Sequence, residues 1–172
     1  MARQHREVLA KLDPVAVARY QITEKDIRTI ERYLKIIQAK LVGASLWQEI
    51  VAFPSAYATS LAVHELVEIR LLQARGIEPL ELDTVTLQLT LANNLDAHIQ
   101  AILDEHLYLQ GYIARHYKQW FQIGTLLKVN RRDVEEKDFQ LLLHSDLDVV
   151  IVEDDQLERA RQILAELKGE GT

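Results

Sequence analysis

Apolar side chains recur along most of this chain at steps of three and four, the period of a helix that buries one face. Ile27, Ile30, Leu34, Ile37 and Leu41 keep that step after Thr23 and Asp26, which make a capping-box-like start. Before them a short helix is expected over Arg6–Leu12. A second runs from there to about Tyr20, begun by Asp13-Pro14 as an N-cap with proline in the first turn. Gly43 ends or loosens the third helix, and Leu46–Phe53, with Trp47, is apolar enough to enter the core. The clearest run extends from Pro54-Ser55 to Arg75-Gly76, with a helix start, a basic last turn and a glycine stop.

Thr84 to Leu91 alternates polar and apolar residues as a strand would, yet Leu87, Leu91, Asn94 and His98 share one helical register that continues into the next segment. The pattern favours a helix from Asp83 or Thr84. A long helix is expected from Asn94 to about Leu127, broken or kinked at Gly111 and Gly124. Tyr108, Tyr112, Tyr117, Trp120 and Phe121 lie along it as an aromatic row, suited to core packing or to a second subunit. A charged link spans Arg131–Asp138, and the β-branched run Leu147–Val152 predicts a short strand. Asp155 with Glu158 then starts an amphipathic helix closed by Gly169. The fold class implied is mainly α: a bundle-like single domain over residues 1–172, with a long central helix and a short β element near the C-terminus. Its helical core covers about 14–128 and its strand–helix extension about 139–168.

Composition narrows the function classes. The chain has 172 residues, 48 % hydrophobic and 27 % charged, an ordinary globular balance with enough chain to bury a core. A net charge of −6 argues against a nucleic-acid partner, which needs a basic footprint. No cysteine is present, so disulfides, thiolate catalysis and cysteine-ligated zinc are excluded. No apolar segment is long enough to span a bilayer, and the first residues lack a signal-peptide core, so a cytoplasmic location is expected.

The candidate chemistry lies on two of the predicted helices. Tyr57, Leu61, His64, Glu68 and Leu72 share one face of the first; Leu91, Leu95, His98, Ile102, Glu105, Leu109 and Tyr112 succeed one another on the second. An unpaired buried carboxylate costs several kcal/mol, so these polar groups require partners. If the two helices pack antiparallel, one divalent cation can draw on His64, Glu68, His98 and Glu105, with His106 as a reserve ligand or supporting partner. Imidazole and carboxylate suit zinc, iron or manganese.

His64-Glu65-Leu66-Val67-Glu68 matches the metalloprotease pattern H-E-x-x-H except that Glu68 replaces its second histidine. By that analogy Glu65 takes the general-base position of a metal-dependent hydrolase, acting on a small molecule or peptide of unknown identity. Ferritin-like sites use Glu-x-x-His, an order reversed here. No family is assigned from either pattern. The alternative is a non-enzymatic interaction or regulatory protein in which the same His/Glu cluster is structural and the aromatic helix supports a homodimer.

The acidic Glu153-Asp154-Asp155 lacks the spacing of a calcium loop and suits a helix N-terminus. His144-Ser145-Asp146 is merely consecutive, without triad geometry.

Overall fold

A computed structural model describes residues 2–37, 54–117, 120–123, 126–136, 138, 142 and 149–169. Leu41, Gly43, the apolar run Leu46–Phe53, Gly124, His144-Ser145-Asp146 and the first two residues of the run Leu147–Val152 lie outside the described residues. The chain is mainly α and divides into two compact units, Met1–Tyr108 and Leu109–Thr172. The division falls within the longest helix rather than at the charged link.

In the first unit, α1 (Ala2–Lys11) leads at once into α2 (Pro14–Tyr20). Asp13 caps α2 by accepting from the Val15 N–H, as the Asp-Pro pair predicts. Helix α3 (Glu24–Ile37) opens on the expected capping box: the Asp26 carboxylate accepts from the Thr23 N–H, and the Asp26 N–H donates to the Thr23 hydroxyl. Its apolar stripe buries Ile27, Ile30, Tyr33 and Leu34. Helix α4 (Ser55–Ala74) ends where Gly76 takes a positive φ of 77°.

Residues 84–93 form helix α5, so helical register prevails over local alternation; Asp83 caps it through the Thr86 N–H. Asn94 alone separates α5 from α6 (Leu95–His116). Val8, Leu12, Ile27, Ile30, Tyr33, Leu66, Ile69 and Leu87 are among the buried residues of one core drawn from α1 and α3–α5.

Glu31 and Lys35 sit beside the apolar stripe of α3 at the spacing of an exposed i,i+4 ion pair. Lys35 does reach Glu31, at 3.5 Å, but Glu31 is largely buried and also receives His5 Nε2 at 2.8 Å. This face of α3 is therefore partly an α1 contact rather than wholly solvated.

The second unit corrects the extent of the long helix. Helix α6 passes through Gly111 without a break and ends at His116, not near Leu127. Trp120–Ile123 (β1) and Leu126–Asn130 (β2) pair antiparallel, with Trp120 opposite Val129 and Ile123 opposite Leu126. Strand β3 (Val149–Val152) joins β2 in parallel, Leu127 opposite Val149. Backbone pairing with the β-branched run at 149–152 outweighs the helical spacing of residues 120–127. Helix α7 (Asp154–Leu167) covers this sheet through Leu157, Ala160 and Leu164, against Phe121 and Val152.

The cap of α7 also lies earlier in the chain than expected. Glu153 and Gln156 form its capping box, and Asp154 and Asp155 occupy the first turn, where negative charge complements the helix dipole. Tyr108, Tyr112, Tyr117 and Phe121 are buried within the chain and Trp120 is half-buried, so most of the aromatic row serves internal packing.

Candidate metal centre

Helices α4 and α6 bring the two polar faces of the first unit together in antiparallel order. His64 meets Glu105 while Glu68, one turn further along α4, meets His98, seven residues earlier on α6. One nitrogen from each imidazole and one Glu68 oxygen lie within 4.8 Å of one another. The imidazole rings meet edge to face with centroids 5.0 Å apart.

Glu68 is the centre of the arrangement and is 2 % exposed. Its Oε2 lies 2.7 Å from His98 Nδ1 and 3.9 Å from His64 Nε2. Its other oxygen accepts from the Tyr33 hydroxyl. Tyr33 comes from the buried stripe of α3, between Ile30 and Leu34, and the sequence pattern does not mark it as a site residue. The available signal is a tyrosine inside an aliphatic stripe, because a buried hydroxyl requires a partner. Burial, then the hydrogen bond to Glu68, pushes ionisation of Tyr33 far above the ordinary tyrosine range.

His64 has its two ring nitrogens in different roles. Nδ1 is 2.9 Å from Glu105 Oε2, which leaves Nε2 turned towards Glu68. Burial alone would lower the His64 pKa. The hydrogen bond to Glu105 and the charges of Glu65, Glu105 and Glu68 outweigh burial and raise it. Glu105 thus contacts the far nitrogen of His64 and stands outside the three-atom group. A carboxylate there fixes the tautomer and orientation of a metal-binding histidine.

Glu65 is buried and makes no hydrogen bond among the described residues. Burial pushes its carboxyl up to about 7; neighbouring Glu68 and Glu105 act in the same direction, and His64 opposes them. His106, one residue past Glu105, is not brought into the group, and its Nε2 is buried without a hydrogen-bond partner. Arg70 donates to the Tyr20 carbonyl at 2.6 Å and lies 3.6 Å from Asp26, while Glu68 takes Tyr33 rather than Tyr57 as its hydroxyl donor.

The cluster is buried on the Glu68 side and open at His98, whose side chain is 44 % exposed. Three ligand atoms around an accessible edge can hold a divalent cation and leave a coordination position for water or another ligand. Contraction is required, because metal–ligand bonds of ~2.0–2.2 Å place tetrahedral ligands closer together than the widest spacing here. Half-exposed His98 can supply that movement by a side-chain rotation. Among the described residues, no helix is long and apolar enough to cross a membrane. No protein-family model, curated protein or solved structure matches the chain.

Proposed function

We propose that this chain is a helical metal-binding protein in which His64, Glu68 and His98 ligate one divalent cation. The observation that carries the reading is the convergence of their three ligand atoms within 4.8 Å from two helices. Charge supports it: Glu68 and Glu105 face two imidazoles that ligate only when neutral, and a dication offsets the carboxylate charge in a poorly solvated place. Zinc, iron and manganese all accept this donor set. Tyr33 holds the second oxygen of Glu68, and Glu105 holds the far nitrogen of His64.

In the hydrolase form of the reading, an open position at the His98 edge admits water. Glu65, next to His64 on α4, is the acid–base group. Its substrate is a small molecule or peptide able to reach that edge, in a cytoplasmic setting.

A second reading keeps the cluster structural. It is favoured by the pairs Tyr33–Glu68, Glu68–His98 and His64–Glu105, which already satisfy much of the polar group without an ion.

Thermal melting with zinc, ferrous or manganous ion, and with chelator, separates the two. An ion bound only by the folded state adds about 2.7 kcal/mol at a hundredfold excess over Kd. The parent should therefore melt higher with one of these ions, and His98→Ala should not. An unchanged melting temperature with every ion and with chelator supports the structural reading.

A further inference from the structure

The longest row of exposed large apolar side chains among the described residues lies on α6. Leu95, Ile99, Leu103 and Leu107 succeed one another at four-residue steps and remain 57 %, 49 %, 55 % and 46 % exposed. On the preceding helix α5, Val85 and Leu89 are 65 % and 61 % exposed at the same spacing. The remaining large apolar side chains in the exposed class are scattered, with no more than two on any element: Val15, Val150, Ile163 and Leu167. Scattered exposure is normal, whereas a contiguous apolar patch of a few hundred Å² is often functional.

We propose that a second copy of this chain packs on this row to form a twofold dimer, with α6 at its centre and the α5 pair beside it. Four-residue spacing makes a ridge that fits the groove of an identical ridge, the commonest way helices pack in globular proteins. A twofold axis requires a patch that complements itself, and this ridge meets that requirement.

The area is also of the needed size. At ~32 Å² per methylene, six half-exposed aliphatic side chains present on the order of 400 Å². A standard interface buries ~800 Å² per partner, of which a little more than half is apolar. The row therefore supplies about the apolar share of one such interface, and its polar flanks supply the rest.

Of the two carboxylates that flank the row, one is paired with a cation and the other is held by neutral donors and turned to its own chain. Asp96 lies beside the row but is bound by the Arg75 guanidinium, with Nη1 at 3.0 Å from Oδ1. Asp104 accepts from the Tyr20 hydroxyl at 2.8 Å and from Gln100 at 2.9 Å. This surface is distinct from the aromatic row, whose three tyrosines and Phe121 are already buried within the chain. The dimer does not require the metal.

Size-exclusion chromatography with light scattering on the full chain, across a dilution series, tests the proposal. The parent should run at twice the 19.8 kDa protomer mass. Ile99→Glu/Leu103→Glu should run at the protomer mass with unchanged circular dichroism. The milder Leu103→Gln/Leu107→Gln should give the same halving if the glutamates reduce helicity. A parent that stays monomeric at every concentration overturns the proposal. So does a dimer whose mass neither variant changes, because another surface then makes it.

Discussion

Two buried carboxylates invite comparison: Glu68 in the first unit and Asp138 in the second, each 2 % exposed. Both accept from tyrosine hydroxyls. Asp138 takes Tyr112 at 2.9 Å and also Tyr117, so its two oxygens are served by neutral donors. Burial and the bond to Asp138 push the Tyr117 hydroxyl well above the ordinary tyrosine range, which keeps it a donor. Glu68 takes one tyrosine, while its other oxygen is bonded to the half-exposed His98 imidazole and faces that of His64 at 3.9 Å.

The difference is instructive. A carboxylate closed off by hydroxyls is a satisfied structural joint, while one that shares an open edge with imidazoles has the donors a metal ion requires. Burial alone does not distinguish them; the partners do.

The largest expected separation comes from Glu68→Gln and Asp138→Asn. Glu68→Gln removes the charged oxygen at the centre of the site and should lower metal affinity at least ~100-fold, beyond the range of a supporting residue. Asp138→Asn should leave metal affinity unchanged and cost about 1–3 kcal/mol of stability, because one tyrosine hydroxyl loses its acceptor. Calorimetric metal titration and urea denaturation read the two effects. Loss of metal affinity in Asp138→Asn would erase the distinction.

Next in size is the tyrosine pair. Tyr33→Phe should weaken metal binding about 10- to 100-fold, since it frees the oxygen that keeps Glu68 in place. Tyr112→Phe should not, although each substitution should cost about 1 kcal/mol of stability. Equal metal affinity in both variants would mean that Tyr33 only packs.

Glu105→Gln sharpens the comparison on the histidine side. Its amide can present either an acceptor or a donor to His64 Nδ1, so orientation is retained only in part. The expected weakening is about tenfold, measured by competition with a chromogenic chelator. No loss at all would remove Glu105 from the supporting role.

The smallest effect concerns His5 and Glu31, a buried pair with no third ligand. Burial would raise the Glu31 carboxyl, but the His5 hydrogen bond and Lys35 charge outweigh it and hold it below its ordinary 4.5. The contribution is therefore present above the unfolded value and fades as pH falls through the folded one. Glu31→Gln should flatten the stability profile below about pH 5 and leave metal content at neutral pH unchanged. An unaltered acid limb would show that the pair contributes no pH dependence.

Much of the helical framework can be read from local chemistry. Asp13-Pro14, the Thr23–Asp26 box and Gly76 mark boundaries through backbone hydrogen bonds made within a few residues. His64, Glu68 and His98 stand out because polar residues at helical spacing interrupt an apolar face. Local pattern misses non-local pairing. The β1–β2–β3 sheet joins residues 120–130 to 149–152, and helical spacing in the first segment carries no trace of that partner. Tyr33 is 35 positions from Glu68 and reaches it only because α3 packs against α4. Whether Glu105 contacts the ion or the far side of His64 depends on ring orientation, which spacing does not encode.

The most direct test is the metal content of the full chain, purified without a metal-binding tag and measured by plasma mass spectrometry beside His64→Ala/His98→Ala. The account predicts near-stoichiometric zinc, iron or manganese in the parent and little in the variant. Absence of metal from the parent, even after reconstitution with each ion, would contradict it.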